Sequence, residues 1–191
     1  WIITGGLGGL GLLTAKVLVN LGAAHIFLVS RSGKVSYADQ GLEDDLAWLQ
    51  QQTQTQVHVV RCDVSDEASV VSMLADARRV AGSVDGVIHA AGVLRDALIR
   101  GGGAALGCAE VWNAKALSAW WLHKHTLEDK LKYFVTYSSL TAAVGNIGQA
   151  AYGAANRYLD VLMEERRRLG MSGLSIRWPA VAGKGMAAGL I

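Results

Sequence analysis

A tyrosine and a serine occupy positions where this chain could carry out acid–base chemistry. Tyr152 and Asn156 lie one turn apart in a segment with helical spacing of apolar residues, so their side chains share a face. Ser138-Ser139 ends the strand-like run before that segment, at the carboxyl edge where parallel sheets bind ligands. A tyrosine, with an ordinary pKa of about 10, is a poor acid at neutral pH unless a cation lowers that pKa. Asn156 supplies no cation, and taken locally it argues against catalysis.

A glycine-rich run follows the first strand-like segment, Ile2-Ile3-Thr4, and opens the first helical pattern. It satisfies G-x-G-x-x-G at Gly6, Gly8 and Gly11. Glycines there allow a tight turn and let main-chain N–H groups reach a pyrophosphate at the positive end of a helix. The strand–helix junction favours dinucleotide binding over a merely structural turn. The predicted contacts are Gly5, Gly6, Leu7, Gly8, Gly9, Leu10 and Gly11.

The end of the second strand-like run indicates which dinucleotide binds. NAD-binding proteins usually place an acid there, about 20 residues past the glycines, to hold the ribose hydroxyls. This chain has Ser30-Arg31-Ser32 instead. An arginine can grip a 2′-phosphate, which favours NADPH, whereas the alternative is that Arg31 is a solvated loop residue. Asp63-Val64 follows the third strand-like run, where the carboxylate either accepts from an adenine amino group or forms a turn or helix cap.

Several phrases of the sequence resemble known reductases. The Thr4, Gly5, Gly9 and Gly11 pattern, residues 89–92, and Ser139 followed by Tyr152 resemble short-chain dehydrogenases/reductases. Residues 5–11, 28–33, 89–94 and 148–152 look like ketoreductase domains of type I polyketide synthases, and animal-type fatty acid synthase ketoreductases are similar. The resemblance covers essentially the whole chain.

The resemblance implies a catalytic tetrad. In this family the lysine and asparagine of ordinary short-chain reductases have exchanged places, and Lys115 stands where the family has its lysine. Tyr152 would then protonate the carbonyl oxygen as hydride arrives, while Ser139 hydrogen-bonds the same oxygen. Lys115 would lower the tyrosine pKa and bind the nicotinamide ribose, and Asn156 would order the proton-relay side. The cofactor contacts that the family implies also include Ala90, Ala91, Gly92, Lys115 and Tyr152.

The implied reaction is reduction of a β-keto group on an acyl chain that an acyl carrier protein holds through phosphopantetheine. Members that give the D-alcohol (B-type) carry Leu-Asp-Asp where this chain has Leu94-Arg95-Asp96, so the more diagnostic second aspartate is present as Asp96. Gln149 stands where A-type members have tryptophan, and Ala154 replaces a B-type proline. We expect a B-type enzyme in which Asp96 and Gln149 influence substrate orientation.

Strand-like and helical patterns alternate along the chain, which is typical of a parallel sheet with helices on both faces. The predicted strands are 2–4, 26–29, 57–60, 84–89, 133–137 and 174–178. The predicted helices are 10–21, 42–52, one around Val70 to Ala77 that Ser65 or Asp66 caps, 104–126, and one around Ala155 to Met163 that ends at Gly170. Loops are expected at 32–41 and 101–103. The expected fold class is α/β, a Rossmann-type doubly wound parallel sheet with helices on both faces.

Composition and charge argue against several classes of protein. A net charge of +2 over 191 residues is too small to indicate a nucleic-acid or membrane partner. No apolar run approaches the ~18 residues of a membrane helix, and no signal peptide is visible. Cys62 and Cys108 lack metal-ligand spacing and indicate a reducing, cytoplasmic compartment. The five histidines are scattered, which favours structural roles over a metal site.

Both ends of the chain fall abruptly within patterned sequence. We therefore interpret residues 1–191 as an NADP-binding catalytic subdomain that is truncated at both ends, with an upstream structural ketoreductase subdomain as a partner. Two other functions stay open. One is a catalytically silent structural relative, and the other is a dinucleotide-binding sensor, which would need neither Ser139 nor Tyr152.

Overall fold

Parallel strands form one sheet in the computed structural model, which describes residues 1–36, 40–99, 104–183 and 185. Within those residues the strands are β1 (Ile2–Thr4), β2 (His25–Ser30), β3 (Gln56–Arg61), β4 (Gly86–His89), β5 (Tyr133–Ser139) and β6 (Leu174–Trp178). Their order is β3-β2-β1-β4-β5-β6, and all neighbours pair in parallel. The order reverses between β1 and β4, and such a reversal opens a ligand-binding crevice at the carboxyl ends of the strands.

Helices connect the strands. They are α1 (Gly9–Asn20), α2 (Leu42–Gln50), α3 (Glu67–Ala81), α4 (Ala104–Trp112), α5 (Ser118–His125), α6 (Thr141–Val144) and α7 (Ala150–Arg168). Asp66 is the cap of α3, because its carboxylate accepts from the Ser69 N–H at 2.8 Å. None of the described helices is both long and apolar enough to cross a membrane.

The long helix predicted over 104–126 is divided by a π-helical turn, Asn113–Leu117, between α4 and α5. The short helix α6, a single turn, was not predicted from the sequence. The loop predicted at 101–103 lies outside the described residues, as do residues 37–39 of the loop predicted at 32–41.

Two apolar clusters cover the two faces of the sheet. Successive residues of a strand point to opposite faces, so Ile2 and Ile3 of β1 belong to different clusters. Ile2 packs with apolar residues of α3, α5 and α7, such as Leu74 and Leu159. Ile3 packs with residues of α1 and α2, such as Leu12. Helices therefore cover both faces, and the predicted Rossmann-type doubly wound fold is confirmed.

Candidate active site

The loop between β1 and α1 packs directly against the end of β4. Gly5 has a φ of +67°, and a Cβ there would lie 2.8 Å from the carbonyl carbon of Ala90. A Cβ on Gly11 would collide with the carbonyl oxygen of Gly5. Gly8 precedes α1 without a side-chain cap, so the first-turn N–H groups have no capping side-chain acceptor, an arrangement suited to a pyrophosphate. The other predicted contacts in this turn are Gly6, Leu7, Gly9 and Leu10, of which Leu7 has a side chain buried in the core.

A cavity of about 320 Å³ lies beside this loop at the ends of β2 and β3. The predicted cofactor contacts in its lining are Gly5, Ser30, Arg31, Asp63, Val64, Ala91 and Gly92. The two carboxylates in its described lining already have partners. Asp63 accepts from the N–H and hydroxyl of Ser65 at 3.0 and 2.7 Å, and Glu110 pairs with Arg95 at 2.8 Å. Asp63 Oδ1 therefore supports a local turn, and the contact of this carboxylate with an adenine amino group stays a prediction. Arg31 is exposed at the same cavity.

A second cavity, of about 340 Å³, lies at the carboxyl ends of β4 and β5. The structure brings Lys115, Ser139 and Tyr152 together in its lining. Leu10 and Ala90, two of the predicted cofactor contacts, also line it, so this cavity adjoins the glycine-rich loop. A lysine, a serine and a tyrosine thus border one space that is large enough for a small carbonyl compound.

Lys115 reaches this cavity from the π-helical turn. Its side chain is 2 % exposed, its Nζ donates to the carbonyl of Tyr137 at 2.9 Å, and the same Nζ lies 5.5 Å from the centre of the Tyr152 ring. Burial lowers the pKa of Lys115 to about 8, so the ammonium form still predominates at neutral pH. A Cβ on Gly92 would lie 2.8 Å from Lys115 Cε, and the glycine therefore makes room for the lysine. The lysine that the resemblance named lies beside the tyrosine.

Asn156 is fully buried and does not line the cavity. Its Nδ2 donates to the carbonyl of Tyr152 at 2.8 Å, and its own carbonyl accepts from the hydroxyl of Ser138 at 3.2 Å. Its Oδ1 has no protein hydrogen-bond partner. The main-chain carbonyl of Asn156 therefore links α7 to the end of β5, whereas its side-chain amide bonds within α7. Its part in proton relay stays a prediction.

A chain of hydrogen bonds runs from Ser139 to the loop after β4. The hydroxyls of Ser139 and Thr141 lie 3.0 Å apart, and the Thr141 hydroxyl donates to Gln149 Oε1 at 3.3 Å. Gln149 Nε2 in turn donates to Asp96 Oδ2 at 2.8 Å. Since Thr141 uses its hydrogen on Gln149, the hydroxyl of Ser139 is the donor to Thr141. The two residues predicted to influence substrate orientation are thus in direct contact and are coupled to the serine.

Three residues that contact the predicted tetrad were not predicted as site residues from the sequence. They are Thr141, Tyr137 and His89, and the last is fully buried at the end of β4. Thr141 follows Ser139 by two residues, but nothing in its spacing marks it. In the described part of the chain, no group of three or more His, Cys, Asp or Glu side chains is placed to hold a metal ion.

The chain resembles known proteins over almost its full length. Residues 1–183 match the family described as KR domain. The chain is 39% identical over 189 residues to the polyketide synthase GfsA of Streptomyces halstedii, covering 97% of this chain and 2% of that protein. It is also 39% identical over 181 residues to a phenolphthiocerol synthesis polyketide synthase of Mycobacterium tuberculosis that is described as inactive, covering 93% of this chain and 11% of that protein.

The fold also matches that of a solved ketoreductase structure. The chain resembles a ketoreductase from the first module of phoslactomycin biosynthesis in Streptomyces sp. HK803, with a TM-score of 0.88 and 35% identity. The alignment covers 99% of this chain and 43% of that one. The chain therefore spans less than half the length of that ketoreductase, and a small part of each of the two synthases.

Proposed function

Because this chain belongs to the KR domain family, we propose that it reduces the β-keto group of a carrier-bound acyl chain to a hydroxyl with NADPH. The observation that carries the proposal is the convergence of Lys115, Ser139 and Tyr152 on one cavity beside the glycine-rich loop. A structural or sensory domain would need the loop alone. The relatives are polyketide synthases, which supports a substrate carried on an acyl carrier protein.

Each of the three cavity residues has a separate role in the proposed reduction. When bound, the nicotinamide supplies the hydride that adds to the carbonyl carbon. Tyr152 gives its phenolic proton to the carbonyl oxygen as negative charge develops there. The buried ammonium of Lys115 stabilises the phenolate that Tyr152 leaves behind, since opposite charges attract strongly where water is excluded. Ser139 supplies a second hydrogen bond to the same oxygen.

The contacts of Ser139 explain how it can serve this role. Before substrate binds, its hydroxyl donates to Thr141, and its oxygen accepts from the Thr141 N–H at 3.2 Å. Rotation about the Cβ–Oγ bond redirects the hydrogen to a substrate oxygen while the N–H contact persists. The serine is therefore held in place by a bond that does not compete with catalysis.

The residues present fit a dinucleotide. The absence of Cβ atoms at Gly5 and Gly11 leaves a tight turn whose N–H groups can hold the pyrophosphate. Ser30 and Arg31 follow β2 in place of an acid, and Arg31 would bind a 2′-phosphate. This placement supports NADPH over NADH.

The Gln149–Asp96 bond supports the proposal that these residues direct the substrate. It ties the loop after β4 to the start of α7, and Ala97 N–H donates to the carbonyl of Gly148 at 2.9 Å beside it. This side of the cavity is therefore held by paired contacts. We propose that the substrate enters the cavity on the side that lacks these contacts, and that the product is the D-alcohol. The proposed partners are the acyl carrier protein and an upstream structural subdomain of the same protein.

The experiment that tests the proposal is reduction by the intact protein. A β-ketoacyl thioester on phosphopantetheine is mixed with NADPH, nicotinamide absorbance is followed, and the configuration of the hydroxyl is determined by chiral chromatography. We expect absorbance loss that matches hydroxyl formed, with D configuration. Absence of turnover with a functional carrier would overturn the proposed activity.

A second candidate is a catalytically silent domain, because one relative is described as inactive. Such a domain would bind NADPH but leave the keto group intact. Titration of NADPH fluorescence alongside the turnover assay separates the two functions.

A further inference from the structure

His89 connects three elements around the lysine. It ends β4, is fully buried, and its Nδ1 lies 2.6 Å from the Thr4 hydroxyl of β1. Its Nε2 lies 2.9 Å from the main-chain oxygen of Lys115 and 3.2 Å from the hydroxyl of Ser118. One imidazole thus joins the central strands to the turn that carries the lysine.

The hydrogen bonds of His89 define its protonation. A carbonyl oxygen only accepts, so the bond to Lys115 requires a hydrogen on Nε2. Nδ1 is then the acceptor for the Thr4 hydroxyl. Burial and the charge of Lys115 lower the pKa of His89 to about 3, and the ring stays neutral at working pH. Both ring nitrogens are therefore fully used within the protein.

The bond from His89 meets the main chain of Lys115 within the π-helical turn. Lys115 lies in the π-helical turn, and such turns are rare in proteins but frequent at functional sites. His89 holds the main-chain carbonyl of Lys115. The lysine side chain passes over Gly92, which follows His89 by three residues. The end of β4 and the residues that directly follow it, from His89 to Gly92, therefore contact both the main chain and the side chain of the lysine.

We propose that His89 is a positioning residue that fixes the Lys115 turn, and through it the ammonium, against Tyr152. As a statement about catalysis, this inference rests on the proposed reduction. The geometric part does not, because it concerns the cofactor-free protein. The role goes beyond filling the core: an apolar ring or a histidine of the other tautomer would occupy the same volume without holding the lysine.

A matched pair of variants separates the two contacts. In His89→Gln the side-chain amide reaches about as far as Nε2 and can still donate to the Lys115 carbonyl. In His89→Asn the amide lies near the position of Nδ1, so it can bind Thr4 but stops short of Lys115. Both side chains are neutral and polar. His123→Asn is the control, because His123 is also a buried histidine and lies in α5, about two turns beyond Lys115. Its Nδ1 lies 2.7 Å from Arg166 Nη1 and not beside the lysine.

Three readouts in the intact protein test the inference. We expect His89→Asn to lower kcat by ~10²-fold, as for other small displacements of a catalytic group, while KM for NADPH changes less than threefold. In the cofactor-free protein, acetic anhydride should label Lys115 at least fivefold faster in this variant, as measured by peptide mass spectrometry. In His89→Gln, kcat and the labelling rate of Lys115 should each lie within about fivefold of the values for the unmutated protein. In His123→Asn, both kcat and the labelling rate should be unchanged.

Equal behaviour of the Asn and Gln variants would overturn the inference, and so would normal labelling of Lys115 in His89→Asn. Nitrogen NMR of the unmutated protein gives a test that needs no variant to fold. We expect a neutral His89 with its hydrogen on Nε2, and a hydrogen on Nδ1 would refute the proposed bond. If the unmutated protein reduces no substrate, the proposed function fails, while labelling and NMR still decide the role of His89.

Discussion

The Nζ of Lys115 lies 5.5 Å from the centre of the Tyr152 ring, although the two residues belong to different helices. The contact is possible because the lysine projects from a π-helical turn and crosses Gly92, which has no side chain to obstruct it. A buried ammonium next to a phenol favours loss of the phenolic proton.

Lys115→Met and Tyr152→Phe should each lower turnover by ~10²–10⁴-fold, because each disables the proton donor. The double variant should be little worse than the poorer single variant, since the two groups act as one unit. Carrier-linked β-ketoacyl reduction by the intact protein is the measurement, and circular dichroism checks the fold. Near-normal turnover in Lys115→Met would contradict the assignment of the site.

Lys115 should lower stability at neutral pH. Its pKa in the folded protein is about 8, below the unfolded value of about 10.4, so the folded state disfavours the charged form. This amounts to about 3 kcal/mol below pH 8, and the penalty declines as pH rises toward 10.4. The hydrogen bond to the Tyr137 carbonyl is lost in Lys115→Met and offsets ~1–3 kcal/mol of the gain.

We therefore expect Lys115→Met to be at least as stable as the unmutated protein at pH 7, with the advantage shrinking near pH 10. Urea unfolding at both pH values measures this. Lys124→Met is the matched control, because Lys124 is half-exposed and pairs with Glu67 at the surface. A loss of more than ~1 kcal/mol in Lys115→Met at pH 7 would be inconsistent with a buried, destabilising charge.

Arg31 should set the cofactor preference. With no acid at the end of β2, NADPH should bind at least tenfold more tightly than NADH, a difference of about 1.4 kcal/mol. Arg31→Ala should remove most of that difference, because the 2′-phosphate loses its cation. Isothermal titration with both nucleotides measures it, and Arg79→Ala is a control on an exposed arginine of α3. Equal affinity of the unmutated protein for the two nucleotides would rule out the role.

Gln149 and Asp96 should act as a pair in orienting the substrate. Gln149→Leu breaks the bonds to Asp96 and Thr141, and Asp96→Ala breaks the first of them. Each change should lower the fraction of D-alcohol, and the double variant should add little, because the bond between the residues is already lost. Chiral analysis of the product measures this. Unchanged product configuration in both single variants would show that the bond is structural only.

Much of the fold follows from the sequence because apolar periodicity reports burial. The strand and helix patterns located all six strands of the described sheet and most helices. The π-helical turn Asn113–Leu117 was missed because its residues keep a helical apolar pattern, and only the hydrogen bonds shift. The four-residue helix α6 is too short for any periodicity to show.

The site was only partly predictable for a different reason. Tyr152 and Ser139 follow from helix spacing and a strand end, which are local features. Lys115 came from the family resemblance, since no local pattern places it beside the tyrosine. The bonds of His89 to Lys115 and Thr4 join residues far apart in sequence, and single-sequence patterns carry no information on such contacts.

The central position of β1 also has a consequence for the order of folding. β1 and β2 can meet early because little chain separates them, whereas pairing of β1 with β4 must close a loop that contains two further strands and three helices. Loop closure of this kind is entropically unfavourable and slow. The junction where the glycine-rich loop meets Ala90 should therefore form late, so that dinucleotide affinity develops only in the last stage of folding. Nucleotide added during refolding would then slow unfolding without accelerating the earlier steps.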